Sequence, residues 1–235
     1  MSPTDLYPII VVVYSFCFVF LMWCLAELLE GSVADLFKLV NKSRIRVNWH
    51  IICQIALDAA EAVLYLHNFR PQILHRDLKS ENLLLDANFR CKLSDFGLSR
   101  QFDIASPGSL TVCGSLLWVA PEIFRGEYYT DKVDVYSFAI VLWELCCLKK
   151  PYEGIDIIEL PYYVGKLGKR PDENMLSHVP PSYTNLMKAC WHSDPSVRPS
   201  FREICQQLVA LLDQEDKMAV PVETNIPFEA ALVQR

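Results

Sequence analysis

The sequence predicts an α+β protein that is mainly helical, on three observations. Residues 49–69 and 200–212 repeat apolar side chains at helical spacing: Ile52, Ile55, Ala59, Val63 and Leu66 in the first, Phe201, Ile204, Leu208 and Leu211 in the second. Residues 134–148 are apolar all round (Val135, Phe138, Ile140, Val141, Leu142, Trp143, Leu145), and a helix without a polar face belongs in the middle of a domain. Leu83-Leu84-Leu85 and Cys91-Lys92-Leu93 flank Asp86 and Asn88, which reads as two short strands joined by a turn.

The elements follow in order. Residues 6–26 carry no charge, which is enough length to span a bilayer. No Lys or Arg precedes them, so the charged start of a signal peptide and the cue that orients an anchor are both missing. The β-branched run 9–14 equally fits a pair of buried strands, and periodicity does not separate the two readings. After Glu30-Gly31-Ser32, residues 35–40 continue a short helix. The helix at 49–69 stops before Pro71. Residues 101–115 are polar, small and interrupted by Pro107 and Gly108, and are expected to be a loop. Beyond Asp213 the chain turns acidic and then Pro-interrupted, so 214–235 is expected to be a loosely held tail.

Composition excludes some functions. Just over half the chain is apolar (52%), enough to bury a real core. A net charge of -6 argues against a nucleic-acid surface, because phosphate binding wants a basic face. The nine cysteines form no C-x-x-C pair, and most, such as Cys146 and Cys147, sit in apolar runs. That is the usage of a reducing compartment. Cys190 and His192 are close but lack a second ligand pair, so no metal site is expected there.

The chemistry is concentrated in His75-Arg76-Asp77-Leu78-Lys79-Ser80-Glu81-Asn82, followed by Asp95-Phe96-Gly97 and then Ala120-Pro121-Glu122. In order and spacing this resembles the protein-kinase set H-R-D-x-K-x-x-N, D-F-G and A-P-E. Each triplet alone would be an ordinary turn or a solvated charge run; the three in series are not. Phosphoryl transfer leaves a protein little covalent work: it positions phosphates and neutralises charge. The resemblance implies ATP and Mg2+ as cofactors, with oxygens of Asn82 and Asp95 holding the metal. It implies that Asp77 orients the acceptor hydroxyl and that Lys79 reaches the transferring phosphoryl group. Arg76 before the catalytic aspartate goes with control by activation-loop phosphorylation, for which Ser106, Ser109 and Thr111 are the candidate sites.

The flanks extend the likeness. Residues 131–145 look like the central helix of the kinase large lobe, with Asp134 capping the catalytic-loop backbone and Ala139 where the family usually has Gly. Cys190-Trp191-His192-Ser193-Asp194-Pro195 through Arg198-Pro199-Ser200-Phe201 resembles the closing stretch of the family, which pairs Arg198 with Glu122. These are framework residues. Lys79 matches the serine/threonine pattern, and Gly114-Ser115-x-x-Trp118-Val119-Ala120-Pro121-Glu122 resembles that of the tyrosine-kinase-like group, with Ser115 for Thr. A hydroxyl bridging Asp77 and Lys79 therefore survives. A tyrosine kinase is the alternative.

Upstream the likeness thins. The sequence contains no G-x-G-x-x-G and no V-A-I-K before His75. Leu6-Tyr7-Pro8-Ile9-Ile10 onward resembles the strand after the regulatory helix, and Ala26-Glu27-Leu28-Leu29-Glu30-Gly31-Ser32 resembles the end of the next strand and the hinge. On that alignment adenine pairs with backbone at Glu27 and Leu29 and rests on Leu84. The expected organisation is a remnant of the β-rich small lobe at 1–26 (strands 10–14 and 20–26, or a transmembrane segment), a large lobe with hinge at 27–213, and the tail. The expectation is an N-terminally truncated kinase, weak or inactive in this chain, acting on protein Ser/Thr hydroxyls under an upstream kinase and lying in the cytoplasm. A scaffold and a membrane-anchored fragment are the readings from other classes.

Overall fold

The structure, a computed structural model, describes residues 29–42, 47–102 and 115–218, with backbone alone at 101, 102 and 215–218. Glu27, Ser106, Ser109, Thr111 and the strands expected at 10–14 and 20–26 lie outside the described residues.

The chain enters through a short strand, β1 (Gly31–Ser32), and turns directly into helix α1 (Val33–Asn41). Ser32 starts that helix because its hydroxyl accepts from the Asp35 N–H while the Asp35 carboxylate accepts from the Ser32 N–H, a reciprocal cap. Asn48 caps α2 (Trp49–His67) by accepting from the Ile51 N–H at 2.9 Å. Strand β2 (Gln72–Leu74) leads to the 75–82 loop, whose last turn, Ser80–Asn82, is a 3-10 helix. Strands β3 (Leu83–Leu85) and β4 (Cys91–Leu93) form the hairpin expected from sequence, and β1 adds to β3 to give an antiparallel sheet of order β1-β3-β4.

A second ladder pairs β2 with β5 (Arg100–Phe102), placing Ile73 opposite Gln101. This corrects the expectation of a loop beginning at residue 101. Backbone groups of β2 supply the partners, so the strand forms without an apolar pattern of its own.

Further on come a 3-10 turn at Leu116–Trp118, the short helix α3 (Pro121–Phe124), α4 (Lys132–Cys147), a π-helical turn at Pro161–Lys166, α5 (Pro181–Cys190) and α6 (Phe201–Met218). Helix α4 is the core. Every residue from Val133 to Cys147 is buried, Ala139 included. Each Leu, Ile or Phe buried there contributes roughly 1.5–3 kcal/mol of apolar transfer. Helix α2 is long and apolar enough to cross a membrane, the one such helix among the described residues, but it packs on α6, β4 and α4 as a core helix.

Helix α6 continues to Met218, so 214–218 is helical and not part of a loose tail. The stretch Asp213-Gln214-Glu215-Asp216-Lys217-Met218 holds no Gly or Pro, and its good helix formers let the helix run on after the apolar stripe ends.

Candidate active site

The loop 75–82 is held from below by one carboxylate. Asp134, fully buried near the start of α4, accepts from the His75 N–H (2.9 Å) and the Arg76 N–H (2.9 Å), and His67 Nε2 of α2 lies 2.9 Å from it. Burial alone would raise the pKa of Asp134, but His67, His75 and the Arg76 N–H reverse the direction and lower it. This anchoring lets Arg76 keep a positive φ of 66°, a left-handed turn that costs a non-glycine residue about 1–2 kcal/mol. The turn carries the chain from β2 into the loop.

His75 is a structural member of the site. Its ring stacks edge-on against Phe96 at 5.3 Å, Nε2 meets the Ser94 carbonyl at 3.1 Å, and Nδ1 accepts from the Asp77 N–H at 3.3 Å. One nitrogen facing a carbonyl and the other an N–H fixes the neutral tautomer with hydrogen on Nε2. Burial lowers its pKa against the pull of Asp134, in the same direction.

Asp77 is the meeting point. Its Oδ2 accepts from Lys79 Nζ (2.8 Å) and Asn82 Nδ2 (3.1 Å), and its Oδ1 accepts from the Ser115 N–H (2.9 Å). Lys79 Nζ also donates to Ser115 Oγ at 2.8 Å, so the hydroxyl expected to bridge Asp77 and Lys79 meets Lys79, while the Asp77 side of the bridge is made by the Ser115 backbone N–H. Desolvation would raise the Asp77 pKa, but the Lys79 ammonium and the Ser115 N–H outweigh it and hold the carboxyl below the usual range. Beside it a small cleft opens, lined by Asp77, Ser115, Trp118, Val119, Ile123 and Tyr129.

Asn82 donates through Nδ2 to the Asp77 carbonyl at 2.8 Å as well as to its carboxylate, which leaves Oδ1 as its acceptor atom. Its own carbonyl accepts from the Ser94 N–H and Ser94 Oγ, both at 2.9 Å. Asp95, next along, sits at φ 59° and is exposed; its Oδ1 accepts from the Gly97 N–H at 3.2 Å. A side chain at Gly97 would bring a Cβ to 3.1 Å from that oxygen, so glycine leaves the carboxylate its room. An amide oxygen and a carboxylate tied through the 82–94 ladder are hard donors of the kind Mg2+ takes.

Leu84 is half-buried between two buried neighbours, on the face it shares with its partners Ser32 and Lys92. Leu29 is half-buried beside Glu30, whose N–H donates to the Leu85 carbonyl at 2.9 Å. Arg76 is half-buried at the base of the loop. Away from the cleft, Arg198 grips Glu122 with both NH groups (2.7 and 2.8 Å) and donates to the His192 and Lys132 carbonyls, while Lys132 Nζ donates back to the Arg198 carbonyl.

Two members escaped the sequence reading. His67 lies in a helix read for its apolar face, and Glu144 lies in the all-apolar helix, bonded to Ser80 and Trp118. An acid ten residues beyond Asp134 in the same run of buried positions was the signal for the second.

Comparison with known proteins agrees. The profile of the protein tyrosine and serine/threonine kinase family matches residues 6–208. Among relatives in Dictyostelium discoideum, the probable serine/threonine-protein kinases drkB, drkA and drkC are 37%, 40% and 40% identical over 86%, 80% and 76% of this chain. The match spans 28%, 28% and 24% of those proteins' own lengths. Protein kinases as a family use ATP and Mg2+ and act on proteins. With His75 of the 75–82 loop packed on Phe96 of the Asp-Phe-Gly segment and Glu122 of the Ala-Pro-Glu segment held by Arg198, this chain belongs to the protein tyrosine and serine/threonine kinase family.

Proposed function

We propose that this chain carries the catalytic large lobe of a serine/threonine kinase of the tyrosine-kinase-like group, built to transfer the γ-phosphoryl group of ATP to a Ser or Thr hydroxyl of a protein. The observation that carries the reading is the closed set around Asp77: Lys79, Asn82 and Ser115 all bond to one carboxylate.

A carboxylate with a depressed pKa is a weak base, so Asp77 serves by orienting the acceptor hydroxyl rather than by stripping it early. Its proton would pass to Asp77 as the bond to phosphorus forms. Lys79, already between Asp77 and Ser115, places its positive charge beside the transferring group. Asn82 Oδ1 and the Asp95 carboxylate would hold Mg2+, which supplies charge neutralisation on the phosphates. Ser115 and Trp118 border the cleft in which the acceptor segment would lie. The Ser/Thr assignment is favoured by Lys79 and by the relatives' names. A phosphate on Ser106, Ser109 or Thr111 would pair with Arg76 as the regulatory step.

The test is phosphate transfer to a generic Ser/Thr substrate by an active preparation and by Asp77→Asn. The variant keeps an oxygen for Ser115 and is expected to fold normally while losing on the order of 10²–10⁴ in rate. Unchanged transfer removes Asp77 from the chemistry.

A further inference from the structure

Glu144 is an acid in an inhospitable place. It lies on α4 with 2% of its surface exposed, and no cation pairs with it among the described residues. Isolating a carboxylate in such a place costs several kcal/mol, so a buried acid normally finds a cation or gives up its charge.

The surroundings show which. Trp118 Nε1–H donates to Glu144 Oε2 at 2.7 Å, and Ser80 Oγ lies 2.8 Å from Glu144 Oε1. Both partners are buried and neutral. Ser80 Oγ is also 3.4 Å from Glu81 Oε2, and Glu81 is exposed. A proton on Oε1 satisfies all four groups at once. Glu144 then donates to Ser80 Oγ, the serine hydroxyl donates outward to the Glu81 carboxylate, and Oε2 accepts from Trp118. Of the charges of that loop, Glu81 repels a second negative charge, Asp77 and Lys79 pair with each other, and Arg76 stands at the other end, with its N–H on Asp134. Desolvation is the main cause that pushes the Glu144 pKa up to about 8, against the two hydrogen bonds.

The two residues it joins stand next to the reacting set. Ser80 follows Lys79, and Trp118 closes the turn that begins at Ser115. The backbone of Trp118 is held by the same helix, since Ser137 Oγ donates to its carbonyl at 2.8 Å. We propose that Glu144 is a positioning residue that brackets the catalytic loop to the acceptor-side segment through Ser80 and Trp118, and that it does so as a neutral carboxylic acid. The proposal rests on the kinase reading for its purpose but not for its measurement. It makes Glu144 a receptor for an indole and a hydroxyl.

The experiment reads the indole N–H signals of 15N-tryptophan-labelled residues 1–235 against pH, with Trp118→Phe assigning the signal of Trp118. The expected result is a Trp118 signal that titrates with a midpoint near 8, and loses its titration in Glu144→Gln without losing its position at low pH. Glutamine offers an oxygen to Trp118 and an N–H to Ser80, so it stands in for the neutral acid. Amide hydrogen exchange gives the bracket itself: Glu144→Ala is expected to speed exchange at residues 79–82 and 115–118 by about tenfold or more, and Glu144→Gln is not. A Trp118 midpoint near 4.5, a titration that survives in Glu144→Gln, or unchanged exchange in Glu144→Ala overturns the proposal. If the alanine variant does not fold, the glutamine variant and the wild-type titration decide alone. None of these readouts needs ATP or turnover, so failure of the kinase reading leaves them intact.

Discussion

Residue by residue, the site separates groups that keep their charge from groups that give it up. Asp77 and Asp134 are both desolvated and both end with lowered pKa values, because each collects N–H and cationic partners. Glu144 collects two neutral donors and moves the other way. The sign of its effect on stability follows. Between its ordinary 4.5 and about 8 the folded chain holds a proton that the unfolded chain releases. Stability is therefore fully present below 4.5 and falls as pH rises through the folded value near 8. Urea denaturation at several pH values should show Glu144→Gln gaining on the wild type as pH rises, by a few kcal/mol at pH 9. Parallel curves for the two proteins would mean that Glu144 is already ionised at neutral pH.

Among the elements, the joint between α3 and the segment before α6 is the most exposed to single substitutions. Glu122 and Arg198 are each buried to within 1%, and Arg198 also holds two carbonyls. Removing one partner strands the other. Arg198→Ala is expected to cost about 3–5 kcal/mol in urea denaturation, more than Glu122→Ala, because Arg198 retains the His192 and Lys132 carbonyls when Glu122 is lost. Equal costs would show that those carbonyls contribute nothing. Elements of this kind mark where sequence was legible. The β3–β4 hairpin, α2 and α4 are written in local pattern, and the candidate residues Asp77, Lys79 and Asn82 stand close together in the chain. Strand β5 was not legible, because its partner β2 lies far back in the sequence. Nor was His67 as a partner of Asp134, or Glu144 as a partner of Ser80, since reading a helix for its apolar face sets its polar residues aside.

At the scale of the molecule, the parts that would orient the acceptor and the parts that would hold metal are built on one core, while the sequence contains no Gly-rich phosphate loop and no V-A-I-K lysine. Catalysis by positioning needs both walls of the cleft. Residues 1–235 alone are therefore expected to bind Mg-ATP weakly. A thermal-shift assay with 1 mM Mg-ATP should move the midpoint by about 1 °C or less. A shift of about 5 °C or more, with steady turnover, would mean that another cation of this chain takes the place of that lysine.

The bond from the Ser115 N–H to Asp77 carries a consequence for how such a site is silenced. Lys79 and the Ser115 N–H hold the Asp77 carboxyl below the usual range, so its own titration offers no off state near neutral pH. On the proposed reading, silence would come from displacement. Withdrawing Ser115 takes an acceptor from Lys79 and a donor from Asp77 in one movement, leaving their ion pair intact but unaimed. Ser115 directly follows 103–114, the stretch that holds Ser106, Ser109 and Thr111. A serine at the end of that stretch is thus the point where a message written as phosphate would become a change in aim.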